Sequence, residues 1–230
     1  MLGDSRPTEF DLRFSLFGIP VRVTPMFWLG SVLLGWDNMS SGPPYLLMWV
    51  VVCFISVLVH EMGHALVARW MGCYVVEVSL YLMGGVAVYV PGRNHSQGKS
   101  ILIALAGPTA GFLLFGLMAF VLKAPIERFA EQRFDVPARE LIDAGIKVCC
   151  LINLWWGVIN LIPVLPLDGG HVMRGVCSSM SPYKGDEYAR KISILVGGLT
   201  AVYFLTHGLT YAGILFMSIT ISNMQSRPVR

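Results

Sequence analysis

The sequence predicts an all-α multi-pass membrane helix bundle of about six spans, with small membrane-associated β-hairpins. Three observations predict it. Hydrophobic residues make up 55% of the 230-residue chain and the mean hydropathy is +0.64. Only 13% of residues are charged, against about 25% in a soluble globular domain. The apolar residues also gather into runs near span length, and two intervening segments place β-branched and aromatic residues around glycine turns. A net charge of +3 is too small to indicate a nucleic-acid partner and leaves the lipid bilayer as the partner the composition implies. Five cysteines, odd in number and without a C-x-x-C pair, read as buried thiols rather than a disulfide framework.

Taken in order, residues 10–23 (FDLRFSLFGIPVRV) alternate apolar and polar around Gly18-Ile19-Pro20, the pattern of a short hairpin at the membrane face. Residues 24–36 follow as an apolar run short of the ~20 residues a spanning helix needs. Residues 46–70, 100–122 and 141–165 are long enough, and the last ends in a proline-broken stretch. Residues 192–206 and 209–222 complete six expected spans. Residues 74–90 (YVVEVSLYLMGGVAVYV) flank Gly84-Gly85 and predict a second hairpin. That hairpin either caps the bundle or offers an edge strand to an extended peptide, which makes Gly84 and Gly85 candidate substrate-binding positions. Residues 123–140, the most charged stretch, read as a solvated loop with a short amphipathic helix.

Basic residues give an orientation. With six spans and a cytoplasmic amino terminus, Arg6, Arg13, Arg22, Arg69, Arg93, Lys99, Arg174, Lys184, Arg190, Lys191, Arg227 and Arg230 lie inside, and only Lys123, Arg128, Arg133 and Arg139 outside. Lys147 falls within a span. The positive-inside bias therefore places both termini in the cytoplasm. If residues 24–36 do not cross, the three amino-terminal arginines move outside and most of the margin is lost.

His60-Glu61-Met62-Gly63-His64 is H-E-x-x-H inside a predicted helix. A spacing of four puts both imidazoles on one face, where they can share a zinc ion, while Glu61 can reach water beside it. Each ionisable group near the bilayer centre costs about 2.5–3.5 kcal/mol on the insertion scale. The structural alternative is two histidines satisfied by carbonyls, with Glu61 turned to water. A catalytic zinc site takes three protein ligands and one open position. Val67 and Trp70 occupy the positions where a continued metzincin pattern would place its glycine and third histidine. The best remaining candidate is Asp168 in NLIPVLPLDGGH (160–171), behind Pro163 and Pro166 and ahead of Gly169-Gly170, on backbone that cannot continue a helix. One span lies between the His60 and Asn160 spans, so the two run in the same direction. His60, His64 and Asp168 can then meet at similar depth. An interfacial turn is the alternative for Asp168.

H-E-x-x-H in one span, with N-x-x-P-x-x-P-x-D-G-G beginning at Asn160 in a later one, resembles the site-2 protease family, the intramembrane zinc metalloproteases. The resemblance covers roughly residues 45–175. It implies Zn2+ on His60, His64 and Asp168, Glu61 as general base, and Asn160 holding the substrate or stabilising the oxyanion. The 74–90 hairpin and Gly107-Pro108 resemble further family features. The implied organisation is a single integral-membrane protease domain over 1–230: an N-terminal hairpin (1–23), a catalytic core (45–175) and C-terminal spans (187–224). The implied activity is hydrolysis of a peptide bond within or near a transmembrane segment of a membrane-protein substrate. The implied location is a prokaryotic cell membrane, with the active site toward the cytoplasm. His171 reads as an interfacial histidine, and Cys53, two turns before His60, is too far to share its metal. The rival readings are a zinc-binding transporter, since intramembrane His, Glu and Asp also mark ion pathways, and a catalytically silent binder of membrane proteins.

Overall fold

Alternating residues in LRFSL and IPVRV fold as β1 (Leu12–Leu16) and β2 (Ile19–Val23), an antiparallel pair. Phe17 and Gly18 close the turn at φ of 50° and 73°, the positive values a two-residue hairpin turn of this type requires. The computed structural model describes residues 8–82 and 84–225. Residues 1–7 of the expected N-terminal hairpin, Met83 within the second hairpin, and Arg6, Arg227 and Arg230 from the charge count lie outside the described residues. The second hairpin is β3 (Tyr74–Tyr81) and β4 (Gly84–Val90), with a register shift between Val75 and Glu77. The two hairpins are one object, because β2 pairs parallel with β3 in a four-stranded sheet ordered β1-β2-β3-β4.

Parallel pairing dictates the path between those strands, since a parallel neighbour needs a crossover connection. The chain leaves the sheet along α1 (Pro25–Leu34) and a 3-10 turn (Trp36–Ser41), then returns along α2 (Pro43–Trp70). Arg69 near the end of α2 donates from Nη1 to the Phe17 carbonyl at 2.7 Å, which ties the β1–β2 turn to the end of that helix. Ile19, Val21 and Val23 of β2, with Val78 and Leu80 of β3, are buried against Val57, Met62 and Ala65 of α2. This is the main core.

The helical elements correct the expected spans. Among the described residues, four segments are long and apolar enough to cross a membrane: Pro43–Trp70, Gln97–Arg133, Val136–Asn160 and Gly185–Thr206. The run at 24–36 yields only the ten residues of α1, about 15 Å of helix. It stops at Gly35, which sits so close to the Trp49 ring that no Cβ would fit. The last run becomes α8 (Thr210–Gln225), 16 residues after the turn at Gly208. The short amphipathic helix expected within the charged stretch 123–140 is present, and little loop remains around it. α3 (Gln97–Gly116) passes through a π-helical stretch (Leu117–Leu122) into α4 (Lys123–Arg133), and α5 (Val136–Asn160) starts after Phe134-Asp135. Lys, Glu, Gln, Arg and Ala are strong helix formers, and Asp135 caps α5 by accepting from the Ala138 amide at 3.2 Å. α6 (Asp168–Met180) was not anticipated, and α7 (Gly185–Thr206) begins seven residues before the expected run. Only 22–28% of each span window is buried within the protein; the remaining apolar surface faces outward, as a lipid environment requires.

Candidate metal centre

His60 and His64 lie in the later half of α2 and are 3% and 8% exposed. Their four-residue spacing brings Nε2 of each to 3.2 Å from the other. Nδ1 of His64 donates to the Ile103 carbonyl on α3 at 2.7 Å, which leaves Nε2 as the lone-pair nitrogen facing inward. α3 comes this near because Gly107 packs directly against the His64 ring, with no room for a Cβ.

Asp168 opens α6, and its position is built by the preceding loop. The Leu165 amide donates to Ser193 Oγ at 3.0 Å, and the Leu165 carbonyl accepts from Asn223 Nδ2 at 2.6 Å. α7 and α8 thus grip both polar groups of one peptide residue, and Val164 beside it is fully buried with Ala201 and Phe216. Gly169 and Gly170 then fold tightly over the loop: a Cβ on Gly169 would come 2.6 Å from the Ile162 carbonyl oxygen, and one on Gly170 2.6 Å from that of Val164. That close approach turns the carboxylate toward α2.

Asp168 Oδ2 lies 3.1 Å from His60 Nε2 and Oδ1 lies 3.2 Å from His64 Nε2. Donors held 2.0–2.1 Å from one ion at tetrahedral angles stand about 3.3 Å apart; the two imidazole nitrogens stand at 3.2 Å, and one ligand atom from each of the three residues lies within 4.8 Å of the others, close enough to share an ion. Two imidazole nitrogens and one carboxylate are also a donor set that suits zinc. Two buried ring nitrogens facing each other need a cation or proton between them, and His60 Nδ1 is buried with no hydrogen-bond partner among the described residues. The residues present therefore fit the metal.

Glu61, 6% exposed, packs against β4, where a Cβ on Gly85 would lie 2.8 Å from its carboxyl carbon. Gly84, at φ 132°, faces the Trp156 ring. Both glycines flagged in the sequence thus sit where the sheet meets the site helices. Asn160 ends α5 with its Nδ2 donated back to the Trp156 carbonyl at 3.0 Å, along its own helix. His171 is exposed. His95 belongs to a separate contact with Cys73 Sγ at 3.6 Å and Ser100 Oγ at 2.7 Å, and His207 bonds the Tyr203 carbonyl. Cys53 meets the Ser31 hydroxyl, away from the metal triangle.

Several supporting residues are not apparent from the sequence. Ser193 and Asn223 are buried polar side chains on apolar helices, and that mismatch is the available signal. Asn153 carries the same signal: its Nδ2 donates to Ser56 Oγ at 2.9 Å, one turn before His60, and joins α5 to α2. The Ile103 carbonyl leaves no trace in the sequence, because a backbone group has no residue type.

The family model described as Peptidase family M50 matches residues 48–135 and 128–204. A putative zinc metalloprotease of Synechocystis sp. is 33% identical over 174 residues, 70% of this chain and 42% of that protein. A zinc metalloprotease of Methanocaldococcus jannaschii is 26% identical over 208 residues, 90% of this chain and 56% of that one. The chain thus spans about half the length of the curated relatives it matches. Among solved structures, a site-2 protease from Methanocaldococcus jannaschii has the same fold, with a TM-score of 0.63 at 23% identity over 96% of this chain and 97% of that one. With its metal triangle assembled from the two motifs and the family match running across both, the chain belongs to peptidase family M50, the site-2 protease family.

Proposed function

We propose that the protein is an intramembrane zinc endopeptidase that hydrolyses a peptide bond within or near a transmembrane segment of a membrane-protein substrate. The observation that carries this is the triangle of ligand atoms from His60, His64 and Asp168, all within 4.8 Å of one another, with Glu61 buried on the adjoining position of α2. Zinc bound there supplies a Lewis acid that acidifies water and polarises a carbonyl. Glu61 acts as general base: it takes the proton of the attacking water, holds it on its carboxyl group, and returns it to the departing amine. Asn160 donates to the developing oxyanion after releasing its bond to Trp156, a kind of contact commonly worth about 2.7–4 kcal/mol.

A helical substrate hides its amides and carbonyls in its own hydrogen bonds, so the scissile segment must be extended. β4 is the terminal strand of the sheet on the side that touches Glu61, and its unpaired edge is suited to hold such a segment by strand addition. Gly84 and Gly85 keep this wall flat beside the base. Residues 45–175 form the catalytic core of the single domain, braced by the N-terminal hairpin and the C-terminal helices. The site faces the cytoplasm of a prokaryotic cell, by the bias of basic residues toward its end of the bundle.

The test is cleavage of a transmembrane substrate by purified protein together with metal analysis. Glu61→Gln is expected to lose cleavage while keeping zinc; cleavage at the wild-type rate by that variant removes Glu61 from the mechanism. A transporter would instead move zinc across sealed vesicles and cut nothing.

A further inference from the structure

Away from the metal, an open groove of about 360 Å³ runs between the end of α3, with the π-helical stretch after it, and the middle of α5. Its walls include Phe115, Ala119, Leu154 and Trp155, and two lysines reach it, Lys123 and Lys147. The lysines come from different spans. Lys123 closes the apolar run of α3, about 30 Å along the helix from Ile103 at the metal site. Lys147 stands on the antiparallel neighbour α5, exposed on the outside of a segment long enough to cross the membrane.

Neither lysine is fully neutralised by the chain. Lys123 meets Glu127 only at 3.8 Å on a half-exposed surface. Lys147 makes no ion pair among the described residues, although Asp143 is one turn away. Two cations close together on membrane helices, one with a long ion pair and one with none among the described residues, suit an anion from outside the chain, and the apolar walls beside them suit a hydrocarbon. Interruptions of regular helix by π-turns recur at functional sites, and here one forms the wall that opens the space.

We propose that this groove is a binding site for an anionic phospholipid, its phosphate between Lys123 and Lys147 and an acyl chain along Phe115, Leu154 and Trp155. Basic pockets between membrane helices recognise head groups in this way. None of the groove's lining residues belongs to the metal triangle, so the proposal stands independently of the proteolytic reading.

Native mass spectrometry of the full chain in neutral detergent, mixed with phosphatidylglycerol or phosphatidylcholine, tests it. Wild type is expected to retain one phosphatidylglycerol per chain, with a preference over phosphatidylcholine of about thirtyfold for two lysines. Lys123→Gln/Lys147→Gln should lose that preference, and Lys123→Arg/Lys147→Arg should keep it with the same zinc content. Equal retention of the two lipids by wild type overturns the proposal, as does an undiminished preference in the double glutamine variant. Displacement of the lipid by millimolar inorganic phosphate would identify a free-anion site and reject the lipid. Displacement by a transmembrane peptide with acidic flanks, but not by added phosphatidylglycerol, would identify a substrate-docking site and reject it equally.

Discussion

At Gly107 a Cβ atom would lie 2.7 Å from Cδ2 of His64 and overlap the ring atoms beside it. α3 cannot retreat cheaply, because the Ile103 carbonyl one turn earlier is bonded to the same ring. Gly107→Ala therefore sets a methyl group against a metal ligand. Overpacking of this kind costs about 1–3 kcal/mol, and the imidazole is the movable partner. The variant is expected to fold but bind zinc about ten- to a hundredfold more weakly. Gly116→Ala, with nothing near its Cβ, should bind zinc normally; metal titration of the two variants is the check. The sequence marks Gly107 through family resemblance and through its G-x-x-x-G relation with Gly111, which signals a close helix approach without saying to what. The closeness of His60 and His64 is legible because a spacing of four puts both on one face of a helix. Asp168 is legible because the prolines before it and the glycines after it take its carboxylate off regular helix at the end of an apolar span.

At the scale of elements, the metal triangle depends on helices that contribute no ligand. Ser193 on α7 and Asn223 on α8 hold the amide and carbonyl of Leu165, three residues before Asp168. Asn223→Ala removes the donor to the part-buried Leu165 carbonyl, a loss of about 1 kcal/mol, and frees the loop that aims the carboxylate. The expected result is a lower unfolding temperature together with weaker zinc binding. Thr220→Val on the same helix provides the contrast: Thr220 bonds only its own Phe216 carbonyl, so zinc affinity should be unchanged there. If both variants leave zinc affinity intact, α8 supports the fold without positioning the site. Helix existence is readable for most of the chain because apolar runs impose it. Joining the two hairpins is not readable: β2 and β3 are separated by residues 24–73, and strand composition does not say which partner lies on the far edge. The helix at 123–133 is readable from its helix-forming residues, but its direct continuation from α3 is not, because charge suggests a solvated loop there.

At the scale of the whole molecule, the parallel β2–β3 pair settles a topological question that run lengths leave open. α1 is too short to cross alone, yet the hairpin before it touches the far end of α2 through Arg69 and Phe17. α1 and the 3-10 turn must therefore travel back along α2 together, so Arg13 and Arg22 stay on the same side as Arg69. The same end holds α6, whose Gly175 packs on Ile101 at the start of α3, and the α6–α7 turn. Among the described residues, nine of the basic side chains from the charge count share this end, against Lys123, Arg128, Arg133 and Arg139 at the other. Three exposed positions report this arrangement: Phe17 and Tyr183 at the metal end, Phe134 at the opposite end. In a cysteine-free background with wild-type zinc content, single cysteines at these positions can be reacted with a membrane-impermeant maleimide. Intact cells should label only Phe134→Cys, and inside-out vesicles only Phe17→Cys and Tyr183→Cys. The reverse pattern would keep the fold and invert its orientation. Labelling of Phe17→Cys from the same side as Phe134→Cys would contradict the sheet itself, because β1 and β2 could not then reach β3.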